Sequence, residues 1–205
     1  MSPTLKRGDY VLVSKFLYNL RSPEYYPLTG IPFPYFWRDG LSEVQRGDIV
    51  VFDMPMYPTE LHPAQKENYI KRSVGLPGDT VLITDDRYYL QRDYRSDSRN
   101  RGNPSVNNYM KIPEKGAWIS LSDSTKSFWE PILIRDGNEG TVDSAGNTIV
   151  NGKQQERYQI KQNYYFVRGD NPRFSSDSRS WGLVPERNLI GRAEIKIWPW
   201  PPKWL

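Results

Sequence analysis

Residues 69–79, YIKRSVGLPGD, place two adjacent cations, Lys71 and Arg72, in a segment whose other residues predict a β-strand. In an extended chain successive side chains point to opposite faces, so Lys71 shares one face with Tyr69 and Arg72 shares the other with Ile70. One of the two cations should therefore face the rest of the protein and not solvent. A lysine that faces the protein interior can act as a general base if its ammonium group loses a proton.

Lysine acts as a general base only when its amine is neutral. Its reference pKa of about 10.4 leaves roughly one molecule in a thousand neutral near pH 7.4. Burial disfavours the ammonium form, and a shift of roughly three units lies within the range documented for buried lysines. A lysine held by a strand in an apolar cleft can then activate a serine hydroxyl, as histidine does in other hydrolases. The alternative for Lys71 is a strand lysine whose head group stays in water.

The composition restricts the other ways in which this chain could act as a hydrolase. Its 205 residues include no cysteine and one histidine, His62. A thiol nucleophile, a disulfide and a cysteine zinc site are therefore excluded, as is any motif that needs two histidines. His62 lies in the proline-bounded polar segment PTELHPAQKEN, where we expect an exposed, non-catalytic side chain. A serine paired with a lysine is then a coherent option.

The charge pattern by itself does not indicate a binding partner. The formal net charge is +4, and cations and acids are mixed along the sequence. Because the sequence has no basic stripe and no recognisable nucleic-acid-binding motif, we expect no nucleic-acid partner. The sequence also lacks the roughly 18 consecutive apolar residues that a membrane-spanning helix requires.

Recurring turn and strand signals predict a mainly β fold. Gly-Asp followed by an apolar run occurs at 8–13, 47–52 and 78–83, where glycine suits a turn and β-branched residues suit a strand. Asn151-Gly152 predicts a hairpin turn, and one short helix is expected near 185–190. Further strands are predicted at 116–121, 131–135, 147–150, 157–168 and 191–198.

The order of these signals predicts one domain inserted into another. We expect a core formed by residues 1–80 and 160–205, interrupted by a β-rich inserted domain at 81–159. The 17 prolines and 15 glycines leave little room for long helices in either part.

Arg-Gly-Asp occurs at 7–9, 46–48 and 168–170, a tripeptide that an adhesion protein could display on a loop. Two of the three run directly into predicted strands, where the aspartate can accept turn hydrogen bonds. Three-residue matches are also common by chance. We therefore favour a turn role and keep adhesion through residues 168–170 as an alternative.

Four stretches together resemble, in order, the successive boxes of bacterial type I signal peptidases. They are MSPTLKRGDYVLV at 1–13, RGDIVVF at 46–52, YIKRSVGLPGD at 69–79 and GDNPRFSSDSRSWGLVPERNLIGRA at 169–193. The resemblance covers roughly residues 1–13, 46–83 and 157–198. It implies a signal-peptidase-like β-sheet catalytic core. A lysine in the third box favours the bacterial branch, because relatives in the endoplasmic reticulum use histidine there.

The resemblance implies a role for each matching residue. Lys71 corresponds to the general base of a Ser/Lys pair, and Ser175 to the serine that orients this lysine. Asp177 and Arg179 match residues that support the site. Asp170 matches an acid that pairs with the arginine after the lysine, which is Arg72 here. The resemblance also implies five positions that line the substrate pockets: Leu5, Tyr69, Ile70, Gly169 and Ser176. For Leu5 and Ile70, core packing is the alternative.

The resemblance also implies the substrate and the cellular setting. Signal peptidases cleave exported preproteins after small residues, usually alanine, at the −1 and −3 positions, with the peptide extended against strands. We therefore expect signal peptides of exported preproteins as the partner, with no cofactor and no metal. The expected location is the extracytoplasmic (periplasmic) face of the bacterial inner membrane, with an anchoring segment upstream of this sequence.

The first box departs from the family pattern. The family's nucleophile is the serine immediately before the methionine of Ser-Met-x-Pro-Thr, and that methionine corresponds to Met1. The expected nucleophile therefore lies one position before this sequence, and Ser2, which Pro3 follows, is a poor substitute. Two hypotheses stay open: a signal peptidase whose serine lies just upstream, and a catalytically incomplete homologue that binds Ala-x-Ala peptides without cleaving them.

The C-terminal residues 195–205, IKIWPWPPKWL, hold three tryptophans and a nearby lysine. Tryptophan suits a membrane interface because its ring can enter the headgroup region while its N–H stays in water. We expect this Trp-rich tail to contact an anionic membrane surface. A terminal strand with a tail packed on the core is the alternative.

Overall fold

The computed structural model describes residues 1, 3–22, 26, 31–32, 34, 37–54, 68–84, 87–91, 109–171, 173–198 and 201–205. Ser2 and His62, about which the sequence raised expectations, lie outside the described residues. Strands predominate in the described part of the chain, which confirms the mainly β prediction.

The described residues form strands, two α-helices and two short 3₁₀ turns, at Asp123–Thr125 and Glu186–Asn188. The helices are α1 (Lys126–Arg135) and α2 (Ser178–Trp181). The strands are β1 (Tyr10–Ser14), β2 (Asn19–Arg21), β3 (Trp37–Asp39), β4 (Ile49–Asp53), β5 (Asn68–Gly75), β6 (Thr80–Thr84), β7 (Arg87–Leu90), β8 (Tyr109–Lys111), β9 (Trp118–Ser120), β10 (Gly140–Val142), β11 (Thr148–Val150), β12 (Lys153–Gln154), β13 (Arg157–Gln159), β14 (Tyr164–Arg168), β15 (Val184–Pro185), β16 (Leu189–Trp198) and β17 (Lys203–Trp204).

The largest sheet runs in the order β1-β16-β4-β5-β14-β15, with β17 also paired to β16. All of its pairings are antiparallel. Strand β5, which carries Lys71 and Arg72, lies between β4 and β14. Both cations lie opposite residues of β4, whereas the pairing with β14 reaches Arg72, opposite Arg168, and does not include Lys71. Lys71 therefore lies where the ladder between β5 and β14 ends.

The central strands of this sheet are covered on both faces, because alternate residues of β4 and β14 enter different hydrophobic clusters. On β4, Val50 and Phe52 belong to one cluster, whereas Ile49 and Val51 belong to another. The first cluster also contains Tyr165, Val167, Val184 and Leu189, and the second also contains Leu5 and Ala193. A sheet buried on both faces has little freedom to move a side chain that it positions.

Between β5 and β14 the chain leaves the main sheet and forms three smaller sheets, β7-β6-β8, β13-β9 and β10-β11-β12, together with α1. A third hydrophobic cluster joins this part to the main sheet, since it contains Trp129 of α1 as well as Phe166 of β14. The division into a core at 1–80 and 160–205 and an inserted domain at 81–159 stays a prediction.

The turns that the sequence predicted are present. Gly8, Gly47 and Gly78 have φ values of 94°, 100° and 84°, which side chains with a Cβ disfavour. In the two Arg-Gly-Asp turns at 7–9 and 46–48, the aspartate accepts a hydrogen bond from the backbone N–H three residues earlier. The Asn151-Gly152 turn, with both φ values positive, joins β11 to β12 as expected for a two-residue hairpin.

Two local predictions were wrong. Residues 131–135 form the end of helix α1 and not a strand. Short apolar runs are ambiguous, and here Phe128, Trp129, Ile132 and Leu133 are all buried on one helical face, a spacing that a strand would split between two faces. The segment 157–168 is two strands, β13 and β14, which pair with different partners. The short helix expected near 185–190 is a single 3₁₀ turn, Glu186–Asn188.

Candidate active site

Lys71 lies in the middle of β5, opposite Val50 of β4, whose side chain is completely buried. Its Nζ donates a hydrogen bond of 3.1 Å to Oγ of Ser175. Burial lowers the pKa of Lys71 below its ordinary value, an effect that the Asp177 carboxylate opposes and the Arg179 guanidinium reinforces. The structure thus brings together the predicted base and the serine predicted to orient it, although 104 residues separate them in the sequence.

Because Gly169 has no side chain, there is room beside it for the contact between Lys71 and Ser175. A Cβ added at Gly169 would come within 2.7 Å of Cβ of Ser175 and would also overlap with its Oγ. The same Cβ would lie 3.6 Å from Nζ of Lys71. Carbon atoms pack at about 3.5–4.0 Å, so any side chain at this position would displace Ser175. Glycine is therefore required here for a close approach.

Asp177 fixes the segment that carries Ser175. It is completely buried, accepts hydrogen bonds of 2.8 and 2.9 Å from the Arg179 guanidinium, and accepts one of 3.1 Å from the Gly169 N–H. It also caps the N-terminus of α2 through the Arg179 N–H. Burial alone would raise the pKa of Asp177, but the Arg179 and Gly169 hydrogen bonds hold this pKa below its ordinary value. The carboxylate therefore stays charged and anchors both Gly169 and Arg179.

Arg72 and Asp170 form a second, bidentate pair. Nε and Nη2 of Arg72 each donate to Asp170 at 2.9 Å, and Nη1 donates to the Gly47 carbonyl at 2.8 Å. The Thr4 hydroxyl also donates to Asp170. Although burial raises the pKa of Asp170, hydrogen bonds from Arg72 and Thr4 lower it more. Sequence reasoning had not singled out Thr4, but it had placed Thr4 within the first box.

The sequence matches the protein family described as "Signal peptidase, peptidase S26" over residues 1–198. The chain belongs to this signal peptidase family. It is 32% identical to signal peptidase I of Buchnera aphidicola subsp. Schizaphis graminum over 97% of its own length, and 30% identical to signal peptidase I of Pseudomonas aeruginosa over 98%. The chain spans 64% and 62% of the length of these two bacterial relatives.

Among solved structures, the signal peptidase I from Enterococcus faecalis V583 is 22% identical in sequence to this chain. The match covers 75% of this chain and 98% of that one, with a TM-score of 0.31. In the part of the chain that the structure describes, none of the helices has the length and apolar character needed to cross a membrane.

The residues that the resemblance placed in substrate pockets lie in different surroundings. Leu5 and Ile70 pack in the same hydrophobic cluster, and Tyr69 contacts the cluster on the other face of the sheet. Gly169 is buried, whereas Ser176 is exposed next to Ser175. Leu5 and Ile70 therefore contribute to core packing, and a pocket role for the five residues stays a prediction.

Proposed function

We propose that this chain is the catalytic part of a bacterial Ser/Lys signal peptidase that removes signal peptides from exported preproteins after small-x-small sites. The observation that carries the proposal is the hydrogen bond between Lys71 and Ser175 beside Gly169, together with the lowered pKa of Lys71. These features are what a lysine needs in order to replace histidine as a base.

Each step of the proposed reaction has a defined proton balance. Neutral Lys71 accepts the proton of the attacking serine as its oxygen bonds to the scissile carbonyl carbon, and the resulting ammonium returns this proton to the leaving amine as the peptide bond breaks. Lys71 then takes a proton from the water that attacks the ester between the serine and the signal peptide. It returns this proton to the serine oxygen as the ester bond breaks, which releases the signal peptide and restores the neutral amine. Because Lys71 donates an N–H to Ser175, its lone pair points away from Ser175 and is free to accept the serine proton.

The nucleophile of this proposal is a serine joined to the amino nitrogen of Met1. Met1 packs against the hydrophobic cluster that contains Leu5, and its carbonyl accepts a hydrogen bond of 3.0 Å from the Leu5 N–H. The positive charge at the Met1 amino group is close enough to Asp170 to lower its pKa. A preceding residue would therefore lie near Asp170, whose neighbour Gly169 borders the Lys71–Ser175 pair.

The proposal is tested with the natural gene and its full-length product. We expect a serine codon directly before that of Met1, cleavage of an Ala-x-Ala preprotein by the full-length enzyme, and loss of cleavage when this serine is replaced by alanine. A full-length product that binds the peptide with measurable affinity but cleaves none would establish the peptide-binding homologue instead.

The rate of cleavage is expected to rise with pH through the pKa of Lys71. Only the neutral amine accepts a proton, so kcat/KM falls on the acid side as Lys71 becomes protonated. Because burial lowers the pKa of Lys71, the midpoint of this acid limb should lie below the ordinary lysine value of 10.5. A pH–rate profile of the full-length enzyme measures this midpoint. A flat profile from pH 6 to 10 would contradict the assignment of Lys71 as the base.

We also propose that the C-terminal aromatic residues contact an anionic membrane surface. Trp198 and Trp204 lie on β16 and β17 with 58% and 73% of their surface exposed. Strand β17 pairs with β16, as the terminal-strand alternative expected, but residues 201–204 are exposed and not packed on the core, so the strand leaves these rings in solvent. Tyr10 of β1, paired with Trp198, and Leu12 extend the exposed apolar surface. Such a surface suits the headgroup region of a bilayer.

Replacing Trp198 and Trp204 with serine should weaken binding of the 205-residue chain to vesicles of phosphatidylglycerol by at least about tenfold, since two large apolar side chains no longer enter the bilayer. Vesicle co-sedimentation measures the effect. Trp118→Ser is the matched control, because Trp118 is 59% exposed but lies on β9, remote in sequence from the C-terminal strands. Equal loss in the control, or none in the double variant, would refute this contact.

A further inference from the structure

Arg135 is the last residue of α1, and its side chain reaches the segment that holds the catalytic candidates. It is 9% exposed. Its Nη1 donates to the Leu183 carbonyl at 2.7 Å, and its Nη2 donates to the Trp181 carbonyl at 2.9 Å. A planar guanidinium that makes two such bonds fixes the position of both carbonyls relative to each other. A residue from between β5 and β14 thus holds the chain just after α2.

The segment 175–183, from Ser175 to Leu183, is fixed at two ends. Near its start, Asp177 accepts from the Gly169 N–H, and the buried Ser178 hydroxyl accepts from the Val167 N–H at 2.9 Å. At its end, Arg135 holds the two carbonyls. Two of these anchored residues, Ser178 and Trp181, are the first and last residues of the four-residue helix α2. A shift at one end of so short an element is therefore transmitted to the other.

The end held by Arg135 is closely surrounded. Gly182 has a φ of 86°, and a Cβ built there would meet the ring of Tyr88 on β7 at 3.4 Å and Nη1 of Arg135 at 3.6 Å. The Trp181 ring packs against Phe52 of the main sheet, with ring centroids 5.9 Å apart. The segment is thus clamped between the main sheet and residues of α1 and β7. Interiors packed in this way transmit displacements of a side chain instead of absorbing them.

We propose that Arg135 is a positioning residue for the Lys71–Ser175 pair, acting through the 175–183 segment. The inference rests on the function proposed above. Without the guanidinium, the Trp181 and Leu183 carbonyls lose their donors in a region where Leu183 is 2% exposed, so the end of the segment has to move to find new partners. Ser175 would then shift from Nζ of Lys71 and admit water to the amine.

The test uses the full-length enzyme and Arg135→Met. We expect kcat to fall by about tenfold or more and KM to change less than about twofold, because the alignment of the base is disturbed and not the peptide site. The acid limb of the pH–rate profile should move to higher pH, because a hydrated amine is easier to protonate. The charged groups that act on this amine, Asp177 and Arg179, are unchanged in the variant.

Two further variants separate positioning from general stability. Arg135→Lys keeps a cation that can reach one carbonyl and should recover part of kcat and part of the shift in the acid limb. Arg157→Met is the matched control, since Arg157 also lies between β5 and β14 but stacks on exposed Trp118 at 5.1 Å from its ring centroid. This control should leave kcat, KM and the acid limb unchanged.

The outcomes distinguish the two proposals. A wild-type enzyme that cleaves nothing removes the proposed function and this inference with it. An active wild type with unchanged kcat and acid limb in Arg135→Met overturns the role of Arg135 alone, even if the melting temperature falls. If Arg135→Met does not fold, Arg135→Lys decides the question: an acid limb identical to that of the wild type, at full kcat, overturns the proposal.

Discussion

Replacing Lys71 with methionine in the full-length enzyme is expected to lower kcat/KM for preprotein cleavage by about 10³- to 10⁴-fold, the loss typical of an essential general base. Methionine keeps a long unbranched side chain opposite Val50, so β5 should retain its packing. The effect therefore comes from the missing amine. Steady-state cleavage of an Ala-x-Ala preprotein measures it, with a melting curve to show that the variant is folded.

Lys153→Met is the matched control for this experiment. Lys153 is exposed on β12, and the change makes the same lysine-to-methionine substitution at a site outside the main sheet. We expect wild-type kcat/KM from the control. If Lys71→Met kept more than about a tenth of wild-type activity, a general base worth at least about 10²-fold could not be assigned to Lys71.

The second large effect is expected from Gly169→Ala. The added Cβ would overlap with Ser175, which must move away from Nζ of Lys71. Because Ser176 is exposed, the loop can shift outward, and we expect a folded protein whose kcat is lower by about 10²-fold, as for other small displacements of catalytic groups. Measured kcat and KM should show the loss mainly in kcat.

Gly146→Ala gives the comparison for this substitution. A Cβ at Gly146 would meet nothing within 4 Å, although its φ of 84° makes alanine strained. This control should lose about 1–2 kcal/mol of unfolding free energy without any change in kcat. A Gly169→Ala enzyme with kcat within about twofold of the wild type would show that Ser175 tolerates displacement, and that the close approach at Gly169 has no catalytic importance.

Local features of the fold were predictable because local rules decide them. The Gly-Asp turns and the Asn151-Gly152 hairpin need positive φ at glycine, and the sequence puts glycine where this is required. The alternation of β4, IVVFD, likewise sends its apolar residues to two buried faces. In contrast, the apolar run at 131–135 suits either a strand or a helix. Packing of Trp129 and Leu133 in the third hydrophobic cluster decided for the helix.

The residues of the candidate site were also predictable where they lie within one continuous stretch of sequence. The sequence placed Lys71 and Arg72 on opposite faces of a strand, and the resemblance named Ser175, Asp177 and Asp170. Four boxes recognised in order were enough for this, because each box is a continuous stretch of sequence.

By itself, then, the sequence determined the family, the strand that carries the lysine, the turns, and the absence of any thiol. Only the tertiary structure decided that Lys71 is desolvated beside Ser175, that Gly169 leaves room for their contact, and that Arg135 holds the end of the segment. The reason is that turns follow from the backbone preferences of a few adjacent residues. Burial and the resulting pKa shift instead depend on groups about a hundred residues apart, such as Lys71 and Ser175 at a separation of 104.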